Sequence, residues 1–545
     1  MKKFLFLSLI VVLFSSCFEN PQADLIVTNA KIYSLDENNT VFDCMVIDSG
    51  KIVAIGRTKD ILQKWESANV YNGLGKVIYP GFIDAHCHFY GLGTNYYRAN
   101  LLGINSWEKT VDSLVSFSKK VNSKWIQGRG WDQNIWIDTN MPNKTLLDKY
   151  FPEKPVFLFR IDGHAAVCNS AALRKANITA NTKIEGGKIV LENGEPNGLL
   201  IDNAVELVQK VIPALTIEEK ITALNHAQKT CFQYGLTTVD DAGLNVDQVL
   251  LIDSLQKAGF LKMKVYAMLN PNEESKNFVK QNGIYKSERL HVRSFKIYAD
   301  GALGSRGALL KKEYKDESKN HGLLLTPVDS MKAYAEFAYK HQYQVNTHCI
   351  GDSANHIMLN LYGQILKDLN DLRWRIEHAQ VIDSADFDLF RKYTIIPSVQ
   401  PTHATSDMAW ARKRLGEKRL KNAYAYQKLY AQNKILAGGS DFPVEGVNPI
   451  LGFYAAVFRK STQQNDTIAF EPENALTRLQ ALRAMTNWNA MANFEEAEKG
   501  VLEIGKMADF VVVDNDLFSC KENEVLNTRV LATFINGELV FEWKK

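Results

Sequence analysis

Gly81-Phe82-Ile83-Asp84-Ala85-His86-Cys87-His88 reads as an apolar strand that ends in two histidines two residues apart. Side chains alternate faces along a strand, so His86 and His88 point one way and Cys87 the other. Two imidazoles on one face can hold one metal ion. They can equally be two ordinary histidines at a strand end, and the surrounding chain has to decide between these readings.

Working outward, apolar β-type runs alternate with helical patterns, which predicts a parallel sheet. Eight core strands are expected at 78–88, 236–240, 264–269, 295–300, 344–348, 374–378, 395–400 and 435–441. Helical patterns at 216–234, 246–258, 330–341 and 354–369 separate several of them. Eight such units give an α/β fold, a TIM-type (β/α)8 barrel, with its chemistry at the C-terminal strand ends. The barrel is expected over 79–498. Within it, residues 90–205 form an insertion lobe with two strand-like runs, 125–129 and 156–161, lying over the barrel mouth. Counting those runs as barrel strands would demote later ones and put the polar strand ends out of register.

The two ends of the chain read alike. Residues 22–78 alternate short β-rich runs with turns, and 499–545 hold strands at 509–513, 530–535 and 539–543, with Asn536-Gly537 as a turn. Neither end can bury a sheet face alone. Together they are expected to form a small composite β-sandwich, with 509–513 and 530–535 pairing to strands from 24–55.

At 545 residues the chain exceeds a single core of ordinary size. Its 46% hydrophobic and 23% charged content is that of a globular protein, and a net charge of +3 gives no reason to expect nucleic acid as a partner. Residues 1–16 read as a signal peptide: Lys2 and Lys3 precede an apolar run, 4–14, too short to span a bilayer. Ser15-Ser16-Cys17 then resembles a bacterial lipoprotein cleavage site. Acylation of Cys17 would anchor the protein to a membrane of the bacterial cell envelope without a transmembrane helix. A plain signal peptide cleaved nearby is the alternative. The remaining cysteines, Cys44, Cys87, Cys168, Cys231, Cys349 and Cys520, are scattered through mostly apolar runs and read as buried thiols.

The last residues of the expected strands form a pattern. Strand one ends in His86 and His88, strand four carries Lys296, strand five ends in His348, strand six in His378 and strand eight in Asp441. Each histidine alone reads as a satisfied core or surface residue. Four at strand termini, with an aspartate and a lysine, are hard to explain as packing, because charged groups are rarely buried unless paired or metal-bound.

At these residues the sequence resembles the metal-dependent amidohydrolase superfamily. Pro80–His88 matches its opening motif and Gly505-Lys506-Met507-Ala508-Asp509-Phe510-Val511-Val512 its closing one. It is most similar to the branch containing N-substituted formamide deformylase, through 296–306, 348–352 and Gln400-Pro401-Thr402-His403 with Asp407. The resemblance implies one or two divalent ions, zinc first among the candidates. His86 and His88 would bind one ion, often with Asp441, while His348 and His378 would bind a second or serve the first. Lys296 would be carboxylated and bridge them, unless it is instead an ion-pair partner of Asp300 or a substrate contact. Metal-bound hydroxide would attack a carbonyl, with Asp441 as general base and acid and His403 or His164 steadying the oxyanion.

Trp131, Asp132, Arg306 and Asp407 are placed on the substrate side. Trp131, with Phe89, Tyr90, Trp136 and Trp410, would make an aromatic pocket, or would pack the lobe. Arg306 would contact a polar substrate group, or form a structural ion pair. The function implied is hydrolysis of a non-peptide amide-type C–N bond in a small molecule. Hydrolysis of a cyclic amide, carbamate or ester, and a non-catalytic envelope binding or sensing protein, are the other readings.

Overall fold

The structure, a computed structural model, describes residues 20–161, 165–184, 187–461 and 468–544. The signal segment 1–16, Cys17 and His164 lie outside the described residues. No helix among those described is long and apolar enough to cross a membrane.

Eight parallel strands form the central sheet: β1 (Phe82–Cys87), β2 (Leu236–Leu244), β3 (Lys264–Leu269), β4 (Leu290–Tyr298), β5 (Gln344–Cys349), β6 (Arg375–His378), β7 (Ile396–Val399) and β8 (Ala437–Gly438). They are hydrogen-bonded in chain order. Helices return the chain between strands, as expected; Ile217–Gln233, which leads into β2, starts at a capping box in which the Glu219 amide donates to Thr216 Oγ1 at 3.2 Å and the Thr216 amide to Glu219 Oε2 at 2.8 Å. The sheet closes beyond β8. The Asp441 amide donates to the His86 carbonyl and the His88 amide to the Phe442 carbonyl, both at 2.7 Å. The result is a TIM-type barrel with both β1 histidines at its C-terminal mouth.

The single strand expected over 78–88 is in fact two. Val77–Pro80 belongs to a sheet outside the barrel, and the chain enters β1 after Gly81. A Cβ on Gly81 would lie 2.3 Å from Thr237 Oγ1, so only glycine lets the chain pass β2 this closely.

Both chain ends contribute to a composite β-sandwich. One sheet runs Glu538–Glu542, Val530–Ile535, Phe510–Val513, Val77–Pro80, Lys31–Tyr33, Val41–Phe42; the other runs Lys51–Gly56, Cys44–Asp48, Leu25–Thr28, Val70–Asn72. Val27, Ile32, Met45, Ile47, Ile78, Phe510, Val512 and Phe534 pack between them. The expected pairing needs correction. Phe510–Val513 pairs antiparallel with Val77–Pro80, which in turn pairs with Lys31–Tyr33. The direct bridge to 24–55 is Lys51 with Met507. The segment that leads into the barrel is therefore the seam between the two chain ends.

The insertion after β1 builds a six-stranded sheet of its own. Its runs Ile126–Trp131 and Val156–Arg160 lie side by side and parallel, apart from the barrel sheet. The cysteines between 20 and 545 are free, and all but Cys520 are buried.

Candidate metal centre

The mouth of the barrel is assembled by backbone contact between β1 and the segment after β8. A Cβ on Gly439 would lie 2.5 Å from the His86 amide nitrogen, so glycine is required where the two segments cross. Asp84 fastens the crossing: its carboxylate accepts from the Ser440 hydroxyl at 2.6 Å and from the Ser440 and His86 amides at 3.1 Å. Burial still pushes the Asp84 pKa up, to about 7.

This crossing brings Asp441 to the β1 histidines. Its Oδ1 lies 3.1 Å from His88 Nε2 and 3.7 Å from His86 Nε2, and its Oδ2 lies 3.7 Å from His403 Nε2. Two sets of possible ligand atoms each fall within 4.8 Å: His86, His88 and Asp441, and His378, His403 and Asp441. Asp441 belongs to both. Burial opposes its ionisation, but His88, His86 and His403 outweigh that and hold the pKa well below the usual carboxylate range. His378 Nδ1 and His403 Nε2 are buried without a hydrogen-bond partner. Imidazole nitrogens left bare around a carboxylate are the donor set a divalent cation requires, so these residues fit a metal.

Two of these residues hold unusual backbone. His378 has φ +73° and Asp441 φ +62°, in the left-handed region that non-glycine residues seldom occupy. Both stand where a strand stops, and the turn directs each side chain at the mouth. Strain of this kind persists only where the surrounding structure imposes it, and it concentrates at functional sites.

Lys296 lies in β4, almost fully buried, with Nζ 3.0 Å from His86 Nε2. Burial lowers its pKa. Asp300 is not its partner; that carboxylate accepts from the backbone amides of Leu309, Ile350 and Gly351 at 2.8–2.9 Å. His348 lies close by, its ring centroid 4.4 Å from that of His378. Its Nε2 points to the Gly301 carbonyl at 3.5 Å, and it joins neither ligand set. His403, carried on the short helix Pro401–Ser406 after β7, joins His378 and Asp441 in the second set.

The residues expected on the substrate side are dispersed. Trp131 is wholly buried in the core of the lobe, its indole N–H donating to the Leu158 carbonyl at 2.9 Å, so it packs the lobe and offers no face to a substrate. Trp136 packs beside it, and Phe89 lies in the barrel core. Asp132 accepts from Arg160 at 3.1 Å and from the Asn134 amide at 3.0 Å. Arg306 pairs with Asp316 at 3.1 Å and Glu317 at 3.0 Å, the structural ion pair that was its other reading. Asp407 accepts from the Tyr424 hydroxyl at 2.7 Å, and burial pushes its pKa up to about 6. It follows His403 by one helical turn, and its amide donates to the His403 carbonyl.

Sequence reasoning passed over Glu377. It is fully buried on β6, one carboxylate oxygen against His86 Nδ1 and accepting from the Ser398 hydroxyl at 2.6 Å. The signal was there to read: Arg375 and Glu377 sit two apart in a strand between apolar neighbours, which points two charges into the barrel.

A model of the amidohydrolase family matches residues 70–541. The chain belongs to this amidohydrolase family. Among curated proteins it is 32% identical over 540 residues to Protein LONG AFTER FAR-RED 3 of Arabidopsis thaliana, covering 95% of this chain and 92% of that one. It is 24% identical to N-substituted formamide deformylase of Arthrobacter pascens, covering 95% and 98%. A solved structure described as an uncharacterized metal-dependent hydrolase from Pyrococcus furiosus superposes with a TM-score of 0.77 at 27% identity, covering 91% of this chain and all of that one. This amidohydrolase is accordingly a metal-dependent hydrolase acting on carbon–nitrogen bonds, and the His–Asp groups at the barrel mouth are the candidates to hold its divalent metal.

Proposed function

We propose that the protein hydrolyses a non-peptide amide-type C–N bond in a small molecule of the N-acyl or N-formyl amine kind and releases the amine. The observation that carries this reading is the position of Asp441 between His86 and His88 on one side and His378 and His403 on the other. A bound divalent ion supplies an acidified water and polarises a carbonyl. Asp441 stands within reach of both histidine sets, so its carboxylate accepts the proton of the attacking water and returns it to the leaving nitrogen. His403, 3.7 Å from Asp441, faces the same space and completes the second ligand set. The ligands would be His86, His88, His378, His403 and Asp441, with His348 beside His378. Imidazole and carboxylate donors suit zinc. Lys296, buried against His86, is the residue to form a bridging carbamate.

Metal analysis of the purified protein, with turnover of N-formyl and N-acyl amines set against cyclic amides, carbamates and esters, tests this reading. Stoichiometric metal with amine release from the first group is expected. Turnover confined to the second group would displace the substrate class, and metal without any turnover would favour a binding protein.

We also infer a lipid anchor at Cys17 in the bacterial cell envelope. The support is the Lys2-Lys3 start, the apolar run and Ser15-Ser16-Cys17. Cys17→Ser is expected to move the protein from the membrane fraction to the soluble one; unchanged fractionation would rule the anchor out.

A further inference from the structure

A fully buried carboxylate needs a partner, and Glu377 has few. Arg375, two residues away on the same strand, is taken: its guanidinium donates to Asp240 at 2.9 Å and to the Ala85 carbonyl at 3.1 Å, and also contacts Asn493. Glu377 Oε1 has no hydrogen-bond partner. Oε2 meets two groups, His86 Nδ1 and the Ser398 hydroxyl. Ser398 is the direct cross-strand neighbour of Glu377 on β7, so the hydroxyl is held in register beside the carboxylate. The other nitrogen of the His86 ring, Nε2, faces Asp441 and Lys296 at the mouth. A carboxylate at Nδ1 keeps the ring proton there, which leaves the Nε2 lone pair free to bind a cation.

We propose that Glu377 is a positioning residue for the metal. It fixes the orientation and tautomer of His86 from beneath the site, and Ser398 in turn fixes Glu377. The arrangement spans β1, β6 and β7, three separate strands of the barrel. This inference rests on the reading of His86 as a metal ligand.

The test is zinc affinity, measured on the full chain by competition with a chromophoric chelator. Glu377→Gln keeps the size and loses the charge; it is expected to bind zinc about 10–100-fold more weakly. Ser398→Ala removes the hydroxyl that orients the carboxylate, and is expected to weaken binding several-fold in the same direction. Thermal unfolding of the metal-free proteins identifies a general loss of structure, which a merely structural role would produce without moving the affinity of the folded fraction. Parental zinc affinity in Glu377→Gln, with affinity lost in His86→Ala, overturns the inference and leaves the metal site standing. Should Glu377→Gln fail to fold, parental affinity in Ser398→Ala overturns it instead. Parental affinity in His86→Ala would remove the ligand reading itself, whatever Glu377→Gln does.

Discussion

Lys264 Nζ lies 2.6 Å from Asp509 Oδ2, with 2% and 4% of the two side chains exposed. Lys264 opens β3 of the barrel, and Asp509 precedes the C-terminal strand Phe510–Val513, so one buried ion pair joins barrel to sandwich. Asn536 accepts from the same ammonium at 2.6 Å. Asp509→Ala would strand a buried cation, and a loss of about 3–5 kcal/mol is expected by denaturant unfolding. The double variant Lys264→Met, Asp509→Leu removes both charges and is expected to recover most of it. Equal losses in the single and double variants would show that packing, not the pair, fixes the junction.

The placement of His403 separates two ligand sets. His403→Ala is expected to lower bound metal as much as His378→Ala, and His348→Ala to lower it less. Metal content by elemental analysis decides this. A His348→Ala variant that loses more metal than His403→Ala would return His348 to the ligand role.

Asp441→Asn keeps the size and one metal-binding oxygen but cannot accept a proton. Metal and substrate binding are expected to persist, with turnover falling roughly 10²–10⁴-fold. Near-parental turnover with full metal would assign the proton transfer to another group, with His403 the first to examine.

Glu495 is buried against Lys499 at 3.0 Å and His291 at 3.6 Å. Burial alone would raise its pKa, but these neighbours hold it down, to about 2. An unfolded glutamate titrates near 4.3, so between these values the unfolded chain binds more protons and stability decreases as the pH is lowered. The contribution, on the order of 2–3 kcal/mol, is complete above about pH 5 and is lost as pH drops toward 2. Glu495→Gln is expected to be less stable at neutral pH and to show a flatter acid limb in unfolding measurements. An acid limb identical to that of the parent would mean that Glu495 does not set it.

The barrel was legible because buried parallel strands write themselves as apolar runs, and all eight fell where such runs occur. The β1 histidines and Asp441 were legible because polar residues at strand ends have few packing explanations. His348 was legible in the same way as a strand-end residue, and its ring lies beside that of His378, with Nε2 3.5 Å from the Gly301 carbonyl. His403 sits on a helix beyond its strand, where end-of-strand logic does not reach. Trp131 shows a different limit, since an aromatic residue carries no mark of which core it fills. The split at Gly81 was hidden because both halves of 77–87 are apolar, and only the contact with Thr237 marks the pivot.

The backbone bonds that join His86 to Asp441 also impose an order on the protein's making. Positions 86 and 441 are 355 residues apart, about two-thirds of the chain, so β1 leaves the ribosome long before its aspartate partner exists. The sandwich waits longer still, because Val77–Pro80 takes its neighbour from Phe510–Val513. A nascent chain therefore carries His86 and His88 without Asp441, and the mouth of the barrel is assembled only when the last barrel strand has docked.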